Sequence, residues 1–353
     1  MFLREPIMEV QRSDKRKGLI AVKGIFTVVL IILIIIGTFV LGGCNRKKQS
    51  VVTIPTTPAQ VEEKKEDPAF RLAATEKISG YAHPEALISV YDLNQKIYDP
   101  GTFILDTRGR SYAVFQSSYP QGHIPGAVPI LHEHYSHPTY TGRIAPPLQL
   151  QNLLGGLGVS NDSAIVLYGN DGLQARLYWA LKMYGYDNVK ILDGGLDKWK
   201  EAGYDITPAN SPRRPETFEF DLDKSKTEQM LASMTEVKAA VGNGNYIIVD
   251  ARYKDDYSYR RIPGSVNLYY AELLNSDQTF KPAQDLKALA EGKNIVKNKN
   301  IIVYCDSGVS SSLVWFALSE LLGYPSVKLY DGALYEWVKQ GCTTDSNLNK
   351  TSQ

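Results

Sequence analysis

The 353-residue chain has little cysteine and almost no net charge, and both absences limit what it can be. Its three cysteines are too few for a disulfide framework, and none stands in a CxxC pair of the kind that binds zinc or exchanges disulfides. Its 39 basic and 38 acidic residues leave a formal charge of +1. Such a balance creates no field that would attract nucleic acid, and we expect no nucleic-acid partner.

An uncharged segment, residues 24–43, follows a basic N-terminal region. A helix of this length spans about 30 Å, the thickness of a bilayer core, and the basic flank predicts a cytoplasmic N-terminus. The segment ends in Leu-Gly-Gly before Cys44, which resembles the bacterial lipobox. It is either a signal peptide cleaved before a lipid-modified Cys44 or an uncleaved anchor with an unmodified Cys44. Both alternatives predict an extracytoplasmic protein anchored to the bacterial cell membrane.

Composition suggests how the rest of the chain is divided. After the signal peptide or anchor at 1–43, residues 44–76 are rich in polar residues and proline and are predicted to be a flexible tether. A first domain at 77–207 and a second at 227–345 are expected, because a chain of this length is long enough for two ordinary domains. The remaining ranges are a proline-containing linker and a tail, 208–226 and 346–353.

The two predicted domains are copies of one another. One constant offset in residue number joins several pairs: Ile124 and Ile262, Asp193 and Asp331, Trp199 and Trp337, and Gly203 and Gly341. In both copies short β-branched runs alternate with amphipathic stretches, a pattern typical of α/β domains in which helices flank a mostly parallel sheet. Ligands of such sheets bind beyond the carboxyl ends of the strands, so these ends are where we look for chemistry.

The copies differ at one predicted strand end. Gly169 follows Tyr168 in the first copy, whereas Cys305 follows Tyr304 in the second. A glycine-containing loop and a helix are predicted after Cys305, and their backbone N–H groups and dipole would favour the nucleophilic thiolate. Cys305 is therefore the candidate catalytic residue, and the alternative is an inert buried thiol. The residues predicted to stabilise a sulfur atom bound to it are those of the loop: Asp306, Ser307, Gly308, Val309, Ser310 and Ser311.

These motifs resemble those of the rhodanese family over residues 84–342. The Asp-x-Arg strand ends, the Ile-Pro-Gly turns, the Cys-x-x-Gly-x-Ser loop and the Asp-Gly-x-x-x-Trp elements stand in family order. The resemblance implies two tandem rhodanese-like domains, the first inactive and the second catalytic, without a cofactor. It implies that Cys305 takes a sulfane sulfur from thiosulfate or 3-mercaptopyruvate, becomes a persulfide, and passes the sulfur to cyanide or a thiol. The alternative is a sulfur-binding or sensing module without turnover.

Some residues depart from the family pattern. The loop is most similar to that of 3-mercaptopyruvate sulfurtransferases, but Asp306 replaces a glycine, and we expect its carboxylate to point to solvent. A longer insertion that follows Asp-x-Arg in those enzymes is missing here, which argues against mercaptopyruvate. The candidates for substrate binding are Arg252, Arg261 and Arg143. A structural role is the alternative for Arg252, and Arg260 and Arg261 are both candidates for lining the mouth of the site.

Other groups leave alternatives open. Three histidines lie close together in the first copy: His132, His134 and His137. They belong either to a polar loop or to a metal site, and we expect no metal. Cys342 is either an inert thiol or a resolving partner for Cys305. Arg176 matches an arginine common in inactive first domains and is interpreted as an ion-pairing group.

Overall fold

Apolar β-branched runs form the strands of two sheets, one in each copy. The computed structural model of the chain describes residues 68–347. The strands of the first copy are β1 Leu87–Ile88, β2 Thr102–Gly109, β3 Val128–Leu131, β4 Ala164–Tyr168 and β5 Val189–Leu192. Those of the second copy are β6 Tyr246–Asp250, β7 Val266–Asn267, β8 Asn300–Tyr304 and β9 Val327–Leu329.

Helices connect the strands and flank both sheets. In the first copy they are α1 Pro68–Ser79, α2 Val90–Asn94, α3 Tyr112–Gln116, α4 Pro147–Leu157, α5 Leu173–Met183 and α6 Gly195–Glu201. In the second copy they are α7 Thr227–Met230, α8 Met234–Ala240, α9 Lys254–Tyr259, α10 Ala283–Gly292, α11 Val309–Phe316 and α12 Ala333–Lys339. The 3₁₀ helices are Pro84–Ala86, Tyr119–Gln121, His132–Tyr135, Leu222–Lys224 and Tyr270–Leu273, and a π-helical turn, Ala317–Leu321, extends α11. Within residues 68–347, no helix has the length and hydropathy needed to cross a bilayer.

Both sheets are parallel and share one strand order. The first runs β1-β5-β4-β2-β3, and the second runs β7-β6-β8-β9, which is the same order read from the opposite edge. β1 pairs Leu87 with Ile191, and in the second copy a parallel bridge between Leu231 and Leu329 takes its place. The predicted fold class, two α/β domains with parallel sheets, is confirmed.

One apolar cluster runs through both copies and contains Trp179 of the first and Trp315 of the second. Nearly every side chain of α5 and α11 is buried, and the two helices pack against each other. At their contact the rings of Tyr178 and Phe316 are perpendicular, with centroids 4.9 Å apart. Each large apolar side chain buried in this way contributes about 1.5 to 3 kcal/mol. Because α5 and α11 follow β4 and β8, both of these strand ends lie beside the contact between the copies.

The copies also exchange hydrogen bonds through equivalent aspartates. Asp193 of the first copy accepts the backbone N–H of Phe280 of the second at 2.8 Å. Asp331, its equivalent in the second copy, accepts the N–H of Ile144 of the first at 3.0 Å. Each copy therefore satisfies a buried polar group of the other, as expected for an interface with approximate twofold symmetry.

The structure differs from the predicted segmentation at both ends of the described range. Helix α1 begins at Pro68, so the last part of the predicted tether is helical; Lys77 of α1 pairs with Asp193 at 2.5 Å and fixes it to the body. At the other end, Asn347 of the predicted tail donates to the carbonyl of Ser258 at 2.8 Å. The predicted anchor, most of the tether and Cys44 lie outside the described residues, and the domain limits stay predictions.

Candidate active site

Cys305 is the first residue after β8, and its side chain is only 3% exposed. Its Sγ accepts the backbone N–H of Gly308 at 3.1 Å and the hydroxyl of Ser311 at 3.4 Å. Gly308 has a φ of +80°, a conformation that favours glycine and turns the loop back into α11. Ser312, which was not predicted as a site residue, donates to the carbonyl of Gly308 at 2.7 Å and holds this turn. The sulfur thus lies at a helix N-terminus between two donors.

Three other residues of the predicted loop, Ser307, Val309 and Ser310, pack against the first copy. Ser307 lies against Gly142, where a Cβ would stand 3.4 Å from the Cα of Ser307. The carbonyl of Val309 and the Cα of Ser310 lie against Gly172, where a Cβ would stand 2.8 Å and 3.4 Å from them. Glycines on the first copy therefore allow the close approach of the loop that follows Cys305.

Asp306 points away from the interior, and its side chain is 67% exposed. Its carboxylate accepts the Nη1 group of Arg252 at 3.2 Å. Partial burial raises the pKa of Asp306 above its ordinary value, and the charge of Arg252 acts in the opposite direction. The carboxylate next to Cys305 is thus turned to solvent and paired with a cation.

Arg252 is buried and stabilises the end of β6 through hydrogen bonds. It donates from Nη2 and Nε to Asp250 at 2.6 Å and 3.0 Å, and from Nη2 to the carbonyl of Arg260 at 2.6 Å. Burial acts to lower the pKa of Arg252, but the bonds to Asp250 outweigh it and raise the pKa. In the copy without a nucleophile, Arg108 bonds to Asp106 in the same way. The same pairing in the copy without a cysteine favours the structural alternative for Arg252, and its role in substrate binding stays a prediction.

Arg261 is enclosed, and its neighbour Arg260 lines the cleft beside the cysteine loop. The guanidinium of Arg261 donates to the carbonyl of Tyr257 at 3.3 Å and to the side chain of Asn347 at 2.8 Å. His123, the equivalent residue of the first copy, is likewise buried and bonded to backbone carbonyls. The structure therefore corrects the position of Arg261, because it occupies the buried position of His123 in the repeat and does not line the mouth.

Arg143 bridges the two copies. It pairs with Glu336 of α12, and its guanidinium lies 5.7 Å from the centre of the Tyr140 ring. Its side chain is 40% exposed. Its chain neighbours Thr141 and Gly142 line the cleft, so Arg143 stands close to it with its charge already paired.

Arg176 reaches from the first copy to the cysteine loop. Its side chain is 1% exposed and pairs with Asp331, and it donates to the carbonyls of Gly142 at 3.2 Å and Gly308 at 3.5 Å. Ser312 bonds to the same carbonyl of Gly308 from within the second copy. The interpretation of Arg176 as an ion-pairing group thus misses its contact with the loop that follows Cys305. The repeat carries a signal for it, since Arg176 stands four residues after Gly172 as Ser312 stands four after Gly308.

No group of three or more His, Cys, Asp or Glu side chains between residues 68 and 347 is arranged to hold a metal ion. The ring of His132 lies edge-on to Tyr135 at 5.1 Å, and His137 accepts the N–H groups of Thr139 and Tyr140. Burial, followed by the charge of Arg176, lowers the pKa of His132 to about 4. At neutral pH it is an uncharged part of the loop.

Cys305 and Cys342 are both free thiols in different surroundings. Cys305 belongs to the apolar cluster shared by the two copies. Cys342 is half-buried and packs against a separate cluster of the second copy that contains Trp337 and Tyr330.

The equivalent strand end of the first copy has no room for a side chain. A Cβ on Gly169 would stand 2.0 Å from the hydroxyl oxygen of Thr107, which donates to the carbonyl of Tyr168 at 3.0 Å. In the second copy Ala251 follows the strand-end aspartate where the first copy has Thr107, and Cys305 occupies the strand end. The first copy thus lacks both the nucleophile and the space for one.

Comparisons with known proteins show which family the chain belongs to. The family model described as the rhodanese-like domain matches residues 89–202 and 233–340. The sulfur carrier protein TtuD of Thermus thermophilus is 34% identical over 281 residues, 73% of this chain and 95% of that protein. A protein named "Putative thiosulfate sulfurtransferase" from Haloferax volcanii is 34% identical over 237 residues, 62% of this chain and 82% of that protein.

A solved structure shares the fold. The anaerobic ergothioneine biosynthesis enzyme from Chlorobium limicola matches with a TM-score of 0.68, covering 76% of this chain and 72% of that chain. At 21% identity this likeness shows the fold alone. The family itself follows from the match of its model to both copies and from the identity with the Thermus protein over almost its whole length. The chain belongs to the rhodanese-like domain family and carries that domain twice.

Proposed function

We propose that the protein is a sulfurtransferase in which Cys305 carries a sulfane sulfur as a persulfide. The observation that supports this most directly is the position of its Sγ, 3.1 Å from the Gly308 N–H and 3.4 Å from the Ser311 hydroxyl. Donors so placed stabilise a thiolate before the reaction. In the persulfide, the same donors face the inner sulfur.

The reaction consists of two displacements at sulfur. The Cys305 thiolate attacks the sulfane sulfur of a donor, a new S–S bond forms, and the bond between that sulfur and the rest of the donor breaks with its electron pair leaving on the donor. A cyanide or thiolate acceptor then attacks the outer sulfur, and Cys305 leaves as a thiolate. Thiosulfate and 3-mercaptopyruvate are the donors that we propose, and the name of the Haloferax relative supports thiosulfate.

Turnover from thiosulfate or 3-mercaptopyruvate to cyanide tests this proposal in wild type and Cys305→Ser. We expect serine to reduce turnover to background, because a hydroxyl forms no persulfide. Cys342→Ser is the matched control and retains activity, since this thiol packs in a separate cluster. Wild-type rates in Cys305→Ser would overturn the proposal.

A sulfur-binding or sensing module without turnover is the second candidate. The 3% exposure of Cys305 favours it, because a buried persulfide is shielded from acceptors, and the Thermus relative is named a sulfur carrier. Mass spectrometry separates the two candidates. A persulfide that persists on Cys305 when cyanide or thiols are added indicates a binding module, and acceptor-dependent loss of the extra sulfur indicates an enzyme.

We also propose that lipid on Cys44 anchors the protein outside the cytoplasmic membrane. The supporting observations are the uncharged residues 24–43, the basic residues before them and the Leu-Gly-Gly that precedes Cys44. Metabolic labelling with a fatty acid tests this proposal in the bacterium. We expect label on wild type and none on Cys44→Ser. Equal labelling of both, or of neither, would contradict the lipid anchor.

A further inference from the structure

A largely enclosed cavity with a volume of about 240 Å³ lies at the strand end of the first copy, where glycine stands in place of a cysteine. The loop from Gly169 to Gly172, the first turn of α6 and the 3₁₀ helix Tyr270–Leu273 of the second copy contribute to its lining. Thr107, which occupies the Cβ position of Gly169, is not part of this lining. Sites for drug-sized molecules typically have volumes of about 300 to 1,000 Å³. The smaller volume here limits a ligand to about one ring.

The lining of this cavity is acidic. Of the residues between 68 and 347 that form it, Asp171 and Asp197 carry carboxylates, and none is lysine, arginine or histidine. Neither carboxylate has an ion-pair partner in this part of the chain, and Lys198, the next residue after Asp197, is already paired with two other carboxylates. Burial, followed by the charge of Asp171, raises the pKa of Tyr270, whose hydroxyl lies 3.4 Å from that carboxylate. The negative charge at the cavity is therefore uncompensated.

The repeat shows that the fold does not require these two acids. Asp171 precedes α5 and Asp197 lies in the first turn of α6, where helix dipoles favour the ionised carboxylate. The equivalent positions before α11 and in α12 of the second copy are Ser307 and Tyr335. The negative charge thus belongs to the copy without the nucleophile.

A buried acceptor faces the same cavity. The Oε1 atom of Gln174 is shielded from solvent and has no hydrogen-bond partner among residues 68–347. It lies 3.3 Å from the position that a Cβ on Gly169 would take, and both residues line the cavity. A buried acceptor without a partner lowers stability, and the N–H group of a ligand would satisfy it.

The rest of the wall is apolar and aromatic. It includes Leu196, Leu274, Leu313, Tyr270 and Phe280. The faces of aromatic rings attract cations, and the leucines can pack against an apolar body. Together with the free carboxylates and the unpaired amide oxygen, this wall is complementary to a small organic cation.

We propose that the cavity binds a primary ammonium group carried on an apolar body of about one ring. The ammonium group donates to Oε1 of Gln174 and is attracted by Asp171 and Asp197, while the apolar body packs against Leu274 and Leu313. Cys305 takes no part in this site, so its occupancy is independent of the proposed function.

Three probes of similar size and different charge test the proposal: benzylammonium, benzyl alcohol and benzoate. Isothermal titration calorimetry measures their binding to the full chain in detergent. We expect the Kd of benzylammonium to be about tenfold below that of benzyl alcohol, because only the ammonium group is attracted by the carboxylates. Benzoate is expected not to bind. Wild-type protein that binds no benzylammonium, or binds benzoate as tightly, would overturn the proposal.

Removing the two carboxylates should remove the preference for the cation. In Asp171→Asn/Asp197→Asn, the Kd of benzylammonium is expected to rise to that of benzyl alcohol. Asp162→Asn is the matched control, since it neutralises an exposed carboxylate of the first copy outside the cavity lining, and it should keep the wild-type ratio. A double variant with the wild-type ratio would refute recognition by these carboxylates.

A cavity-filling variant locates the bound probe. Ala271 lines the cavity and is partly exposed, so Ala271→Leu can narrow it without burying a larger side chain in the core. We expect this variant to keep the wild-type melting temperature and to bind benzylammonium and benzyl alcohol severalfold more weakly. Unchanged affinities in the folded variant would show that the probes bind elsewhere, which contradicts the proposal. Cys305→Ser is expected to bind benzylammonium as the wild type does, so a failure of sulfur transfer is distinguishable from a failure of this site.

Discussion

At the scale of single residues, the first copy differs from the second by a matched pair at the strand end. Gly169 and Thr107 of the first copy occupy the positions that Cys305 and Ala251 occupy in the second. The hydroxyl of Thr107 fills the space that a side chain at position 169 would need. The sequence shows both differences, but it does not show that the residues at these two positions are in contact. Contact between side chains from two strands depends on the register of the sheet, which the repeat alone does not provide.

Gly169→Ala is expected to destabilise the protein by roughly 1 to 3 kcal/mol, because its Cβ would overlap the hydroxyl of Thr107. Urea denaturation measures the loss. In the Thr107→Ala background the same change should cost much less, and the difference is the coupling between the two sites. Gly156→Ala in α4 is the control, since no atom lies within 4 Å of its new Cβ. Equal costs in both backgrounds would refute the coupling.

His132 makes stability depend on pH. Its pKa is lowered to about 4 in the folded state from an ordinary value of 6.5. Such a group stabilises the fold above pH 6.5, and this contribution, up to about 3 kcal/mol, is lost as the pH falls through 4. We expect His132→Gln to flatten the free energy of unfolding between pH 6.5 and 4. His134→Gln, at a side chain that is 52% exposed, should leave it unchanged. A wild-type pH profile in His132→Gln would contradict this.

At the scale of elements, two ion pairs link the copies near the nucleophile and differ in burial. Arg176 of α5 and Asp331 before α12 are almost fully buried, whereas the pair of Arg143 with Glu336 is partly exposed. The constant offset of the repeat aligns the helices of the two copies from the sequence alone. It does not reveal which of their charges face each other, since these pairs join different positions of the repeat and arise only when the copies pack.

Removing one partner of the buried pair is expected to be costly. Asp331→Ala leaves the charge of Arg176 unpaired and should lower the free energy of unfolding by about 3 to 5 kcal/mol. Arg143→Ala removes the exposed pair and should cost less than about 1 kcal/mol. Chemical denaturation compares the two variants directly. Similar losses would mean that burial does not set the strength of these contacts.

At the scale of the whole molecule, the sequence predicts the two α/β copies and the position of Cys305, because the repeat and the strand-end motifs are local patterns. It does not predict the cleft. Arg260 and Arg261 are adjacent and identical in type, yet one lines the cleft and the other is buried against Tyr257. Only the direction of each side chain after the end of α9 separates them.

The shared apolar cluster predicts that the two copies unfold together. We expect residues 68–347 to show one calorimetric transition with equal calorimetric and van't Hoff enthalpies. A fragment of residues 227–347 would expose the apolar face of α11 and is expected to give no dispersed NMR spectrum. Two separable transitions, or a folded fragment, would show that the copies are independent.

The hydrogen bonds exchanged between Asp193 and Phe280 and between Asp331 and Ile144 have a consequence for the evolution of the two copies. After a gene duplication, the first copy can lose its cysteine and still be retained, because the N–H of Ile144 remains the donor that Asp331 of the second copy needs. Loss of the cysteine is then tolerated where the packing of the strand end is kept, while mutations that break the exchanged bonds are removed in both halves. The two halves therefore diverge in chemistry but are inherited as one unit.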